Sequence, residues 1–234
     1  GSFAGRIQAW LAPALRGVAT LIACTVPAGV LHAILTMVAH EELRERSAIV
    51  AAVANLPALG WQLIGLGSFS RLGVHPNSSN DNFLNQEFGA RGELTWWLAG
   101  YAGEHSSAFW LALVVGIPTF AAATWVVARS CRGVAVWQGL VVYLTVLLAA
   151  VPWLVRLGNG HVRYTTDDEW ISWTYGLGGG TTLLWALLWS ALSAVVILVL
   201  NGTIDLRALQ QQAASLQQAP QHQAPPVPPA PPAE

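Results

Sequence analysis

Apolar residues along this chain gather into five runs, each long enough to cross a bilayer as a helix: Leu15–Ala39, Ser47–Ser70, Ser106–Ala128, Val134–Leu157 and Thr181–Leu200. A hydrocarbon core about 30 Å thick takes about 20 helical residues. Inside these windows the only charged side chains are Arg16 and Arg156, each near an end. The pattern predicts an all-α fold, a polytopic transmembrane bundle of five spans. It divides into a membrane domain, 1–204, and a tail, 205–234. The tail's Gln, Ala and Pro cannot bury enough surface to offset ordering entropy, so it is expected to be disordered.

The polar segments between the runs set the expected topology. Ala39–Arg46 and the short Arg129-Ser-Cys-Arg132-Gly turn carry paired arginines, whereas the longer segments 71–105 and 158–180 carry most of the acids. Short arginine-bearing loops favour the cytoplasm. The expectation is therefore a multi-pass protein of the cell membrane, with its N-terminus outside and its tail cytoplasmic. Phe88–Gly103 is too short and too polar to span. With Trp96, Trp97 and Tyr101 it reads as an interfacial helix.

Composition narrows the class. Only 10% of residues are charged and 54% are hydrophobic, for a mean hydropathy of +0.48. A net charge of −1 argues against nucleic acid as a partner. The expected partners are the lipid bilayer and other membrane subunits. All basic residues are arginine, which with the abundant Ala, Gly, Pro and Trp suggests a GC-rich bacterial genome. The start, Gly1-Ser-Phe, reads as a tag scar or an internal fragment of a longer chain. Cys24 and Cys131 have no spacing that suits zinc or a redox pair.

Candidate chemistry is sparse. His32 is the one ionisable group in the middle of a run, and an intramembrane titratable group is a functional candidate by default. Relaying a proton, holding a metal or contacting a ligand is one reading; a neutral imidazole hydrogen-bonded across helices, to Gln62 or Gln138, is the other. No Asp or Glu lies at that depth to serve an ion-coupled transporter. Pro27, Pro57, Pro118 and Pro152 fall inside runs, where they remove helix hydrogen bonds and favour kinks. In the outer segments His75, His105, His161, Asp167 and Asp168 offer metal-ligating or acid–base groups, in none of the usual metal spacings. Asp167-Asp168-Glu169 also reads simply as a solvated turn. Trp185 and Trp189, four apart on one helix face, form either a lipid-facing ridge or a packing seam.

Leu56-Pro-Ala-Leu-Gly-Trp-Gln-Leu-Ile-Gly-Leu-Gly67, the Trp-led run from Trp110 to Ala128-Arg129, and Gly178-Gly-Gly-Thr-Thr-Leu-Leu-Trp185 resemble the streptophobe-type integral membrane proteins of actinobacteria. That resemblance implies a multi-span architecture and carries no catalytic residues. The leading expectation is a non-enzymatic accessory or assembly component, or the membrane part of a larger protein. A small permease-like transporter using His32 and the proline-kinked spans is the alternative, and a membrane enzyme with an outer-face polar site the third. The sequence points to no particular cofactor.

Overall fold

The computed structural model describes residues 3–40, 46–78, 94–131, 135–165 and 170–202. In chain order the elements are α1 (Phe3–Ala39), α2 (Arg46–Ala54), α3 (Leu56–Gly67), β1 (Leu72–Ser78), β2 (Leu94–Trp96), α4 (Leu98–Glu104), a 3₁₀ turn (Ser107–Leu111), α5 (Ala112–Ser130), α6 (Val136–Gly158), β3 (Gly160–Thr165), β4 (Trp170–Leu177) and α7 (Gly179–Leu200). One compact unit covers Gly1–Ile197. Of the second unit, Leu198–Glu234, only residues 198–202 are described. The expected disordered tail otherwise lies outside the described residues.

Among the described residues, helices long and apolar enough to cross a membrane number four rather than five: Ile7–Ala39, Ser107–Ser130, Val136–Gly158 and Gly179–Leu200. The second apolar run, 47–70, is divided between α2 and α3 by a break at Asn55. Pro57 explains it. Its ring excludes the carbonyl four residues back and it has no N–H to donate, while the Asn55 side chain donates to the Ala51 carbonyl at 2.8 Å. By contrast, α1, α5 and α6 run uninterrupted through Pro27, Pro118 and Pro152.

α3 is the hub. Every residue from Gly60 to Gly67 is buried, and α3 packs against α1, α5 and α6. Backbones meet directly at two crossings. A Cβ on Gly29 would collide with the Leu56 carbonyl and one on Gly60 with the Thr25 carbonyl, so α1 and α3 touch main chain to main chain. Gly67 and Gly116 do the same between α3 and α5. Without a hydrophobic force between helices in lipid, such small-residue contacts are what bring them together. α1 follows the same logic: Ala14, Gly17, Leu21, Thr25, Ala28, His32 and Leu35 form its buried stripe, while Ile22, Val26, Val30 and Ile34 face outward.

α3 ends on a left-handed residue that is not glycine. Phe69 has φ +70°, its N–H donates to Leu66 at 3.0 Å, and Ser70 N–H reaches back to Gly65 at 2.8 Å. This is the Schellman arrangement with Phe in the position usually given to Gly. The ring is held by Trp185 and Trp189, at 5.5 and 6.2 Å, and Trp189 donates to the Ser68 carbonyl at 3.3 Å. The Trp185–Trp189 pair therefore includes a packing seam between α7 and the end of α3.

The described residues are mostly helical, and the two longer polar segments add a four-stranded antiparallel sheet, in the order β2-β1-β4-β3. β4 is central, pairing Leu72–Ser78 on one side and Gly160–Thr165 on the other. Its sequence, Trp-Ile-Ser-Trp-Thr-Tyr-Gly-Leu, is rich in the aromatic and β-branched residues that suit a pleated surface. β2 reaches only Leu72–Val74 of β1, so Pro76, which cannot donate to a ladder, falls beyond that pairing. The expected interfacial helix over 88–103 is replaced in its described part by β2 and the shorter α4.

Candidate functional site

The sheet end of the bundle collects the polar chemistry. α1 closes there at His40, whose N–H completes the last turn on Thr36 at 2.9 Å. α4 closes there at His105, whose N–H is bonded to Tyr101 at 3.0 Å. Leu98 and Ala102 anchor the buried side of α4, and the Trp96 indole ties its end by donating to the Glu104 carboxylate. Ser106 then caps the 3₁₀ turn, accepting from Ala108 N–H at 3.3 Å, and that turn leads into α5.

These two helix ends bring imidazoles together. His40 Nε2 lies 3.3 Å from His105 Nδ1, with ring centroids 5.4 Å apart. As neutral rings the pair shares one hydrogen, carried on one nitrogen and accepted by the other. Tyr101 packs on His105 at 4.3 Å, and Trp96 lies 6.0 Å from both. Burial pushes the Tyr101 phenol up to about 12, so it stays protonated. Burial, then the neighbouring His40, lower the pKa of His105, against an opposing pull from Glu104.

An aromatic column continues inward. Phe109 meets Tyr101 edge to face at 4.9 Å and His32 at 5.8 Å. His32 is buried and lies level with the 3₁₀ turn that opens the second long helix. Its Nδ1–H donates to the Leu59 carbonyl at 2.7 Å, a backbone partner rather than Gln62 or Gln138. Gln62 does something else: its amide donates to the Gly158 carbonyl at 3.0 Å. That carbonyl is among the last of α6, which have no partner within the helix.

His75 and His161 are matched in register, each directly opposite Thr174 on β4, so they occupy one row across three strands. Asp167 and Asp168 lie outside the described residues. The fold thus brings His105 together with His40, a residue that the sequence pattern did not single out. The signal was in the spacing: His40 directly follows the first apolar run, and His105 lies just past the expected interfacial segment. It was hidden because a five-span count puts residues 40 and 105 on opposite sides of the membrane.

Other polar groups serve the helices. Thr20, Thr36, Thr119, Thr124, Thr145 and Thr182 each donate to the carbonyl four residues back, which satisfies a hydroxyl without help from a neighbour. Cys24 and Cys131 are free thiols, and burial raises the pKa of Cys131. Among the described residues, no group of three or more His, Cys, Asp or Glu side chains gathers as a metal-ligand set. No family model, curated protein or solved structure matches the chain. What the sequence and fold carry by themselves is a helical membrane protein with four candidate spans.

Proposed function

We propose that this chain is a non-catalytic membrane component, an accessory or assembly subunit or the membrane part of a larger protein, that holds its sheet on one side of the bilayer for a partner. The observation that supports this most is the backbone-level packing of α3 against α1 and α5. Such packing makes a rigid support. The intramembrane groups that suggested transport are engaged in it, His32 on Leu59 and Gln62 on Gly158. A cavity of about 270 Å³ lies between α1, α2, α3 and Tyr175 of β4, lined largely by apolar residues such as Ala33, Met37 and Leu59. The test is purification of the full chain from native membranes in mild detergent. Stoichiometric co-purification of another protein is expected, and a lone species would overturn the reading.

The same reading carries a topology. With four spans, it assigns the start of α1 and the short turn after Arg129 to the face opposite the sheet. That turn, holding Arg129 and Arg132, is assigned to the cytoplasm; the sheet and its acidic connections are assigned outside. Single cysteines at Ala39, Gly103 and Ala135, in a Cys24→Ser/Cys131→Ser background, give the check. A membrane-impermeant maleimide should label Ala39→Cys and Gly103→Cys from the outside and Ala135→Cys only after lysis. Labelling of Ala39→Cys and Gly103→Cys from opposite sides would restore a fifth span.

A further inference from the structure

We infer that His40 and His105 form a two-histidine site for a divalent transition metal of the zinc class, joining the end of α1 to the end of α4. The separation carries the argument. Their facing nitrogens, Nε2 and Nδ1, are 3.3 Å apart. Two imidazole nitrogens held at about 2.0–2.1 Å by a tetrahedral zinc ion are separated by about 3.3–3.4 Å, one edge of that tetrahedron. The gap that now holds a single shared hydrogen therefore has the width that a metal requires; on binding, that hydrogen moves to the other nitrogen of the ring that carried it, and both facing nitrogens turn their lone pairs to the ion.

The surroundings favour a cation. Both ligands sit at helix ends that are pinned by main-chain bonds to Thr36 and Tyr101, which limits the reorganisation binding would need. Tyr101 and Trp96 wall the His105 ring. Glu104, steadied by the Trp96 indole, places a carboxylate next in sequence to His105 and acts on it electrostatically. Imidazole donors select zinc, copper and nickel over calcium and magnesium, which take oxygen ligands. Both rings are only half-buried, so solvent reaches the pair. The described residues supply two protein ligands, and the remaining coordination positions are open to further donors.

The test uses the full chain without a polyhistidine tag, in detergent micelles. Zinc titrated calorimetrically should bind saturably, one ion per chain at this site. Affinity should fall at least tenfold in His40→Gln and in His105→Gln, while His75→Gln and His161→Gln bind as the parent does. Glu104→Gln should weaken binding without abolishing it. Copper(II) at one equivalent gives a readout that no variant's folding can confound: nitrogen splitting in its electron paramagnetic resonance spectrum should count two imidazoles. Absence of saturable zinc binding, binding that survives both His40→Gln and His105→Gln, or a site lost instead with His75 or His161 would overturn the assignment. So would a copper spectrum with any other number of imidazoles.

Discussion

α3 and α7 are both strongly apolar, and the protein uses them in opposite ways. α7 is a 22-residue helix with a mean hydropathy of 2.5 over its most apolar window, yet it buries only one narrow stripe, Thr182, Ala186, Ser190, Ala194 and Ile197. Leu184, Leu188, Leu192, Val195 and Val196 point away from the protein. α3 has only 12 residues and buries eight in succession. Hydropathy measures distaste for water, and lipid and protein interior satisfy it equally. What separates the two helices is where the small residues fall. On α7 they recur every four positions and make one contact face. On α3, Gly60, Gly65 and Gly67 open the helix to neighbours on several sides, Thr25, Leu177 and Ala112 among them.

That difference predicts that α3 tolerates almost nothing. Gly60→Leu drives a side chain into the Thr25 carbonyl of α1. Main chain on both sides leaves no room to yield, so the cost should exceed the usual 1–3 kcal/mol of overpacking. Loss of the monodisperse species on gel filtration is the expected outcome. A variant that eluted and melted like the parent would show that α1 and α3 do not touch there.

The seam between the two helices comes next. Trp189→Ala removes a ring packed on Phe69 and the donor to the Ser68 carbonyl. Truncating a fully buried aromatic costs about 3–5 kcal/mol; Trp189 is only partly buried, which places this change at about 2 kcal/mol. Thermal unfolding in detergent should register it clearly. Phe69→Gly sharpens the point, since it relieves the positive φ while losing the ring. If packing is what holds Phe69 in place, Phe69→Gly should still be less stable than the parent.

The helices of this fold were largely legible in the sequence, because charge-free apolar runs admit few alternatives. The sheet was not. Strands β1, β3 and β4 fall in polar segments whose histidines and acids drew the reading toward site chemistry or a solvated turn, and β4 pairs not only with its chain neighbour β3 but also with β1, which precedes both α5 and α6 in the chain. Local pattern cannot see such pairing. The split at Asn55 was half visible: Asn55-Leu-Pro57 marks the second run as the least regular, but run length alone still reads it as one span. Reading that run as one span hid the candidate site, since a five-span topology parts His40 from His105. His32 and Gln62 were recognised as interior polar groups, but their partners are main-chain carbonyls, which no side-chain motif announces.

Gln62 tests the interior of α3 with a smaller step. Gln62→Leu keeps the volume and leaves the Gly158 carbonyl at the end of α6 without its donor. An unsatisfied buried acceptor costs about 1–3 kcal/mol, less whatever water recovers at the sheet end. A drop of about 1 kcal/mol in reversible detergent unfolding is expected, with the helical circular dichroism unchanged. Gln62→Glu should be worse, because a carboxylate has no hydrogen to donate unless it is protonated.

The outer face of α7 is where the comparison is most exposed to failure. Leu184 is 62% exposed in the single chain, so in a bilayer its side chain exchanges protein contact for nothing but lipid. Leu184→Ala should then change stability by less than about 0.5 kcal/mol, as substitutions away from packed sites do. Detergent unfolding of the isolated chain should not distinguish it from the parent. The same substitution measured in native membranes carries more weight. If Leu184→Ala lowers recovery of a co-purifying protein while leaving the isolated chain untouched, the face that looks lipid-exposed is covered in the assembly, and the apolar excess of α7 is an interface as well as a membrane anchor. If neither measurement moves, α7 is a span and nothing more, and any partner must be sought at the sheet.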